Sequence, residues 1–330
     1  VTEELLRVED LVTHFRVRRG WTATQRVHAV DGVSFSVRAG ETLGLVGESG
    51  CGKSTLARSL VRLVEVTSGR VFWRGRDILT LPSAELRRLR RELQITFPDP
   101  ASSLNPRMTA ARIIGEGLTI HGLATKGELR ARTLEIMARV GLGADHADRY
   151  PHELSGGQRQ RVGLARALAV GPRLIIADEP LSALDVPVQA QVARSLRDLQ
   201  QTMGVSFLLI SHDLRAVQDA SDRIAVMYLG RLVEVASVRQ LLRSPQHPYT
   251  AALLSAVPRL EREPQQQRIV LQGDAPDPGR PPAGCRFHPR CPLALPRCRD
   301  EAPSLRTVAD DHAVACFRPG EQLPRPSTAA

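Results

Sequence analysis

Apolar positions along this chain fall either into short continuous runs or into helix-spaced stripes. Thr42-Leu43-Gly44-Leu45-Val46 is a buried-strand pattern, and Leu56 to Val64 carries apolar residues at helical spacing. Leu174-Ile175-Ile176-Ala177, Phe207-Leu208-Leu209-Ile210 and Ile224-Ala225-Val226-Met227 read as three further buried parallel strands. Residues 5–46 alternate short β-like runs, such as Leu5-Leu6-Arg7-Val8 and Val33-Ser34-Phe35-Ser36-Val37, with turns. Arg38-Ala39-Gly40-Glu41 reads as the turn into the strand at 42. Residues 107–148 are helical in pattern, with apolar spacing at Ile113, Ile114 and Leu118 and again at Leu134, Ile136, Met137 and Val140. Strands interleaved with helices predict a doubly wound α/β core with a helical insert. From about Arg259 the composition shifts to Pro, Gly, Arg and Cys, with Pro-rich stretches at 276–282 and 319–326, which predicts a loop-rich appendix. No internal repeat is apparent.

Composition narrows the partners. A chain of 330 residues, 42% hydrophobic, can bury a full α/β core and a second unit. No run approaches the roughly 20 apolar residues of a membrane span, and the N-terminus lacks a signal-peptide pattern. The expectation is a soluble, cytoplasmic chain whose membrane role comes through partners. It begins at Val1, which fits either a non-Met start codon read literally or a trimmed start. The net charge of +10 could suggest nucleic acid, but the basic residues are scattered among acids and only 4% of residues are aromatic. The solvated-surface reading is the default and no nucleic-acid partner is expected. All but two of the 45 basic residues are Arg, a bias that looks like genome composition. The exceptions are Lys53 and Lys126, which makes the placement of Lys53 informative: a compact ammonium and a planar fork are not interchangeable.

Lys53 sits in Gly47-Glu48-Ser49-Gly50-Cys51-Gly52-Lys53-Ser54-Thr55, between the strand ending at Val46 and the helical stripe from Leu56. Strand, glycine loop and helix are the context in which G-x-x-x-x-G-K-[ST] is a phosphate-binding loop. The glycines let backbone N–H groups turn inward around a polyphosphate, and the helix N-terminus adds a favourable dipole. Lys53 can reach the β- and γ-phosphates and the Ser54 hydroxyl can hold Mg²⁺. The pattern predicts a chain that binds a nucleoside triphosphate.

Two downstream segments extend this chemistry. The strand at 174 ends in Asp178-Glu179, where Asp178 can hold Mg²⁺, directly or through water, and Glu179 can polarise an attacking water as general base. Read alone, a strand ending in a solvated acidic turn is a common alternative; beside the phosphate loop it recedes. Ser155-Gly156-Gly157-Gln158 opens the helical run Val162 to Val170, a second serine- and glycine-bearing helix start suited to an anion. Two phosphate-seeking helix starts suggest a sandwiched nucleotide.

At this point the chain resembles the nucleotide-binding subunit of an ATP-binding cassette transporter, over essentially its whole length. Ser155-Gly156-Gly157-Gln158 matches the family's signature motif, Ser182-Ala183-Leu184-Asp185 its D-loop, and His212 its switch histidine. Phe15 stands where the family places an aromatic that stacks on adenine; alone, Phe15 reads as a core residue and His212 as a satisfied histidine at a strand end. The resemblance implies a P-loop NTPase fold with a RecA-like parallel sheet core, an antiparallel β subdomain and a helical subdomain over about 99–170. It places the cassette at 1–258 and a Cys-rich extension at 259–330. It implies that His212 contacts the γ-phosphate. Ser155 and Gly157 would serve the nucleotide of a second, head-to-tail ATPase subunit, with Asp185 at the shared interface. Leu104-Asn105-Pro106-Arg107-Met108 and Gln246-His247-Pro248-Tyr249-Thr250 resemble the oligopeptide and dipeptide importer branch. That branch implies ATP hydrolysis powering peptide import, two membrane-spanning permease subunits contacted through Phe97–Met108 and the helical insert, an extracytoplasmic peptide-binding protein, and a place on the cytoplasmic face of the inner membrane. Relatives with similar ATPases carry nickel chelates or glutathione. A cassette ATPase acting on nucleic acid would instead want a coiled-coil insertion or a second cassette, and the stretch from Pro98 to Ser155 is short.

One position departs from the branch. Peptide importers read Phe-Gln-Asp-Pro where this chain reads Phe97-Pro98-Asp99-Pro100, so Pro98 replaces the glutamine whose amide contacts Mg²⁺ and the attacking water. Proline offers neither a side-chain hydrogen-bonding group nor an N–H. The expectation is an impaired but not dead site, with backbone, water or Asp99 as possible substitutes, Gln94 four residues earlier lying a strand-length away, and a different chain as the second ATPase.

Four of five cysteines, Cys285, Cys291, Cys298 and Cys316, form C-x5-C-x6-C-x17-C in the appendix. Disulfides are disfavoured in the cytosol, so such a group reads as a metal site and a staple for a loop-rich segment. Four thiolates can hold Zn²⁺ or a [4Fe–4S] cluster, though the spacing is not that of common zinc sites. The resemblance implies the cluster, which some members of the importer branch carry on cysteines arranged this way.

Overall fold

Helices and strands alternate in the computed structural model, which describes residues 3–19, 23–181, 186–256 and 269–323. In chain order the elements are β1 (Glu4–Arg19), β2 (Ala23–Arg38), β3 (Thr42–Val46), α1 (Lys53–Leu60), β4 (Ser68–Trp73), β5 (Arg76–Asp77), α2 (Ser83–Glu92) and β6 (Leu93–Thr96). There follow α3 (Pro100–Ser103), α4 (Ala110–Ile120), α5 (Leu129–Arg139), α6 (Gly156–Leu168), β7 (Leu174–Asp178), α7 (Val186–Met203) and β8 (Ser206–Ser211). The last are α8 (Leu214–Gln218), β9 (Arg223–Tyr228), β10 (Arg231–Ser237), α9 (Val238–Arg243), α10 (Pro248–Ser255), β11 (Arg306–Ala309) and β12 (His312–Val314). The chain divides into two units that interleave in sequence. The first comprises Val1–Arg7, Ser36–Leu43 and Val71–Ser211, the second Val8–Phe35, Gly44–Arg70 and His212–Ala330.

In the first unit, β6, β7 and β8 are parallel neighbours, with Ile95 opposite Ile176 and Ile176 opposite Leu208. Every residue of β7 and β8 is buried, as a strand covered on both faces requires. Helices α4, α5 and α6 pack on one another as the helical insert. Ile113, Ile114 and Leu118 of α4 and Val162, Ala165 and Leu168 of α6 are buried, each large apolar side chain contributing about 1.5–3 kcal/mol. A Cβ on Gly115 would come within 3.2 Å of Leu129 and Thr133, so the small residue lets α4 and α5 approach closely.

The second unit holds β9 and β10 as an antiparallel pair, with β12 and then β11 added beyond β10. β9 therefore departs from the parallel reading on the β10 side, and β10, β11 and β12 were not foreseen. β10 hides a carboxylate: Glu234 is fully buried, yet accepts from Gln246 N (2.7 Å), His247 N (2.9 Å) and His312 Nε2 (2.7 Å). Three donors satisfy a group that alone would be very costly to bury. The N-terminal segment also differs from the expectation of short runs and turns. β1 and β2 are each 16 residues long. Left-handed backbone at Asp10 (φ 44°) and Gly32 (φ 76°) falls inside them, so turn-forming residues there mark kinks, not ends. α1 stops at Leu60, short of Val64, as Arg62 turns left-handed (φ 53°). The expected boundary at 258/259 lies outside the described residues.

Candidate functional site

The phosphate loop belongs to the second unit and is shaped by close backbone approaches. Gly52 holds φ 108° as the N-cap of α1, and a Cβ there would lie 1.9 Å from the Ala29 carbonyl oxygen. A Cβ on Gly47 would lie 2.1 Å from the Met227 carbonyl oxygen. Only glycine fits both places. Gly50 is also left-handed (φ 78°). No side chain of the N-cap residue bonds to the start of α1, and a helix N-terminus is a favourable place for an anion. Lys53 is 95% buried by side-chain neighbours and loop, being only 5% exposed, and its ammonium donates to the carbonyls of Gly47 (2.7 Å) and Glu48 (3.0 Å). A cation that curls onto its own loop carbonyls can exchange them for phosphate oxygens. Ser54 and Thr55 follow in the first turn of α1, Ser49 in the turn before it, and burial pushes the Cys51 thiol pKa up.

Glu48 is gripped by residues that sequence reading left out of the site. Its N–H donates to the Tyr249 hydroxyl (2.9 Å), and its carboxylate accepts from Arg290 Nη1 at 3.1 and 2.9 Å. The neighbouring carboxylate Asp31 receives His14 (3.0 Å), Arg231 (2.9 Å) and Arg286. Burial alone would raise the Asp31 pKa, but the Arg286 guanidinium, Arg231 and His14 hold it down at about 2. His14, His28 and Asp31 are close enough to suggest a metal, yet two guanidinium groups on the carboxylate already supply the positive charge. In the sequence Tyr249 signals only the likeness of its segment to the importer branch. Arg286 and Arg290 were hidden because nearly every basic residue here is Arg; their flanking of Cys285 and Cys291 was the available signal.

In the first unit, Asp178 ends β7 fully buried, and Glu179 follows with φ 52°. Left-handed backbone at a non-glycine residue stores strain that tends to collect at functional positions. The Glu179 N–H donates to the Ile210 carbonyl (2.9 Å), which fixes where the side chain departs. Ser155 caps α6: its Oγ accepts from Gln158 N (3.3 Å), while Gln158 Oε1 accepts from Ser155 N (2.8 Å). Ser155 and Gly156 are exposed and Gly157 half-buried. The bend after β6 carries Pro98. Gln94 cannot serve as its free substitute as placed, because its amide donates to the Arg90 carbonyl.

His212 is exposed at the start of the segment that Asp213 caps into α8. Phe15 is 37% exposed on β1, so it is a presented ring and not a core residue. Asp185 lies outside the described residues. Cys285, Cys291, Cys298 and Cys316 all line one cavity with Phe287 and His247. Burial pushes the thiols of Cys285, Cys291 and Cys316 up, Cys291 to about 11. No three of these sulfurs lie within 4.8 Å of one another. A single tetrahedral zinc, with Zn–S near 2.3 Å, needs sulfurs about 3.8 Å apart.

A glycine cradle at an uncapped helix start, with a lysine turned into it, defines a P-loop nucleotide-binding protein. Residues 30–182 match the ABC transporter family model, and residues 233–298 match the oligopeptide/dipeptide transporter C-terminal region. The "Probable peptide ABC transporter ATP-binding protein y4tS" of Sinorhizobium fredii is 51% identical over 96% of this chain and 90% of its own. The oligopeptide transport ATP-binding protein AppF of Bacillus subtilis is 49% identical over 95% of this chain and 97% of its own. Among solved structures, the dimeric post-hydrolysis ATP-binding cassette MJ0796, bound to ADP and Pi, superimposes with a TM-score of 0.65. It is 27% identical, over 71% of this chain and 99% of that one. The chain belongs to the ATP-binding cassette family and is an ATPase of that family. Among the described residues, no helix is long and apolar enough to cross a membrane.

Proposed function

We propose that this chain is the ATP-hydrolysing subunit that powers import of oligopeptides or dipeptides through a membrane transporter. The observation that carries the reading is the Lys53 loop at the uncapped start of α1, in a chain that also matches the oligopeptide/dipeptide C-terminal region. In this reading Gly47–Thr55 cradles the phosphates, and Phe15 stacks on the adenine. Ser54 and Asp178 supply hard oxygen donors for Mg²⁺, whose charge offsets that of the phosphates. Glu179 takes the proton of the attacking water and His212 orients it on the γ-phosphate. Ser155, Gly156, Gly157 and Gln158 serve the nucleotide of a second ATPase, with Asp185 at the interface between the two. The cassette occupies 1–258 and the extension 259–330. The partners are a different ATPase chain, two permeases and, through them, an extracytoplasmic peptide-binding protein, with the subunit peripheral on the cytoplasmic face of the inner membrane.

The reading is tested on the assembled transporter in vesicles. ATP hydrolysis should rise when the binding protein delivers a peptide, and peptide should accumulate across the membrane; stimulation by nickel chelate or glutathione alone would replace the cargo. Pro98→Gln should raise ATPase activity several-fold, and no change would count against an impaired site.

Four thiols around one cavity could hold a [4Fe–4S] cluster in the extension, the occupant the family resemblance implies. The cluster would act as a staple on a segment poor in core-forming residues. Protein purified without oxygen should be brown, with about four irons per chain. A colourless, iron-free preparation would refute the cluster.

A further inference from the structure

The grip on Glu48 extends the nucleotide site into the C-terminal extension. Glu48, the second residue of the phosphate loop, is held at three points. Lys53 donates to its carbonyl (3.0 Å), Tyr249 accepts from its N–H (2.9 Å), and Arg290 donates to both carboxylate oxygens (3.1 and 2.9 Å). An arriving triphosphate can draw Lys53 away, but the other two contacts involve no phosphate-binding group and can persist through the exchange. The carboxylate is also an anion in a loop meant for a polyanion, and Arg290 cancels that charge where it would repel most.

Both holding residues are themselves fixed. Tyr249 is fully buried, with its ring against Tyr228 (4.7 Å) and Phe287 (5.5 Å). Arg290 closes the short helical turn His288–Arg290, and its N–H donates to the Phe287 carbonyl (3.0 Å). That turn is bounded by Cys285 and Cys291, which line the thiol cavity. The guanidinium is 10% exposed and leaves its Nε buried without a hydrogen-bond partner. Such a loss marks a side chain placed for the contact at its other end. We propose that Arg290 and Tyr249 are positioning residues for nucleotide binding, holding Glu48 so that the phosphate loop keeps its ligand-ready form while Lys53 changes partners.

Binding of Mg²⁺ with a fluorescent methylanthraniloyl-ATP to the purified full chain tests this. Arg290→Gln should weaken binding about fivefold, Arg290→Lys less, and adding Glu48→Gln to Arg290→Gln should recover most of the loss because the stranded anion is gone. Equal affinity of Arg290→Gln and wild type would overturn the proposal, as would a double variant as weak as Arg290→Gln. Tyr249→Phe keeps the ring and removes the acceptor. It should raise KM for ATP about threefold in the assembled transporter with kcat within about twofold, and speed hydrogen exchange at the Glu48 amide. Unchanged exchange there would also overturn it. Should Arg290→Gln fail to fold, Arg290→Lys and Tyr249→Phe decide by the same readouts. A wild-type chain that binds no nucleotide would instead sink the ATPase reading, a failure distinct from these.

Discussion

Two helix starts in this chain carry serine and glycine, and they are built in opposite ways. α1 begins at a left-handed Gly52, which offers no side-chain cap, inside a loop crowded by the carbonyls of Ala29 and Met227. α6 begins with a closed capping box, Ser155 and Gln158 satisfying each other's backbone, and a Cβ on Gly156 would meet nothing within 4 Å. The first start has no side-chain cap, and Gly47 and Gly52 are demanded by the chain's own backbone. The second is capped by its own side chains, and a methyl group at its glycine would meet no neighbour. In the proposed reading that open position lies at a cap that works on a second subunit's nucleotide.

The contrast can be broken most sharply by alanine at each glycine. Gly52→Ala should abolish Mg–ATP binding and cost about 2–4 kcal/mol in urea unfolding, since neither φ nor space admits a methyl group. Gly156→Ala should leave the isolated chain as stable or up to about 1 kcal/mol more stable. The same variant should lower ATPase activity only in the assembled transporter. A matching loss of fold at both positions would erase the distinction. Ser155→Asp comes next: aspartate is as good a cap, so the melting temperature should hold. ATPase activity of the assembly should nevertheless fall about 100-fold, because the added charge faces phosphate. Smallest is Asp31→Asn, beside the α1 loop, with an expected loss of about 1–2 kcal/mol near neutral pH. Asp31 has a pKa of about 2 in the folded chain, below the ordinary carboxylate value. Its stabilisation is therefore complete above that ordinary value and fades as pH falls toward 2, so wild type and variant should converge across that window.

The parts of the molecule that sequence reading recovered are those whose signals are local. β3, the glycine loop and α1 form one uninterrupted pattern, and β7 and β8 are apolar runs that end in polar residues with chemistry to offer. β10 was missed because Glu234 interrupts an apolar run, and the groups that satisfy it, Gln246, His247 and His312, arrive from 12 to 78 positions away. β1 and β2 were cut into pieces because Asp10, Asp31 and Gly32 are turn-forming types set inside strands. Arg290 and Tyr249 were missed for a third reason. Their meaning depends on one residue, Glu48, about 200 or more positions earlier, and nothing in either residue's own neighbourhood announces that partner.

Glu234 has a consequence for anything that shortens this chain. His312 arrives on β12, which pairs with β10 at Glu234↔Val314, so the tail both extends the sheet and tends an interior charge. A product ending before position 312, whether from a premature stop codon or a protease, would take one of three donors from that buried charge and bare the flank of β10. Such fragments should aggregate more readily than the longer chain, because an exposed strand edge invites pairing.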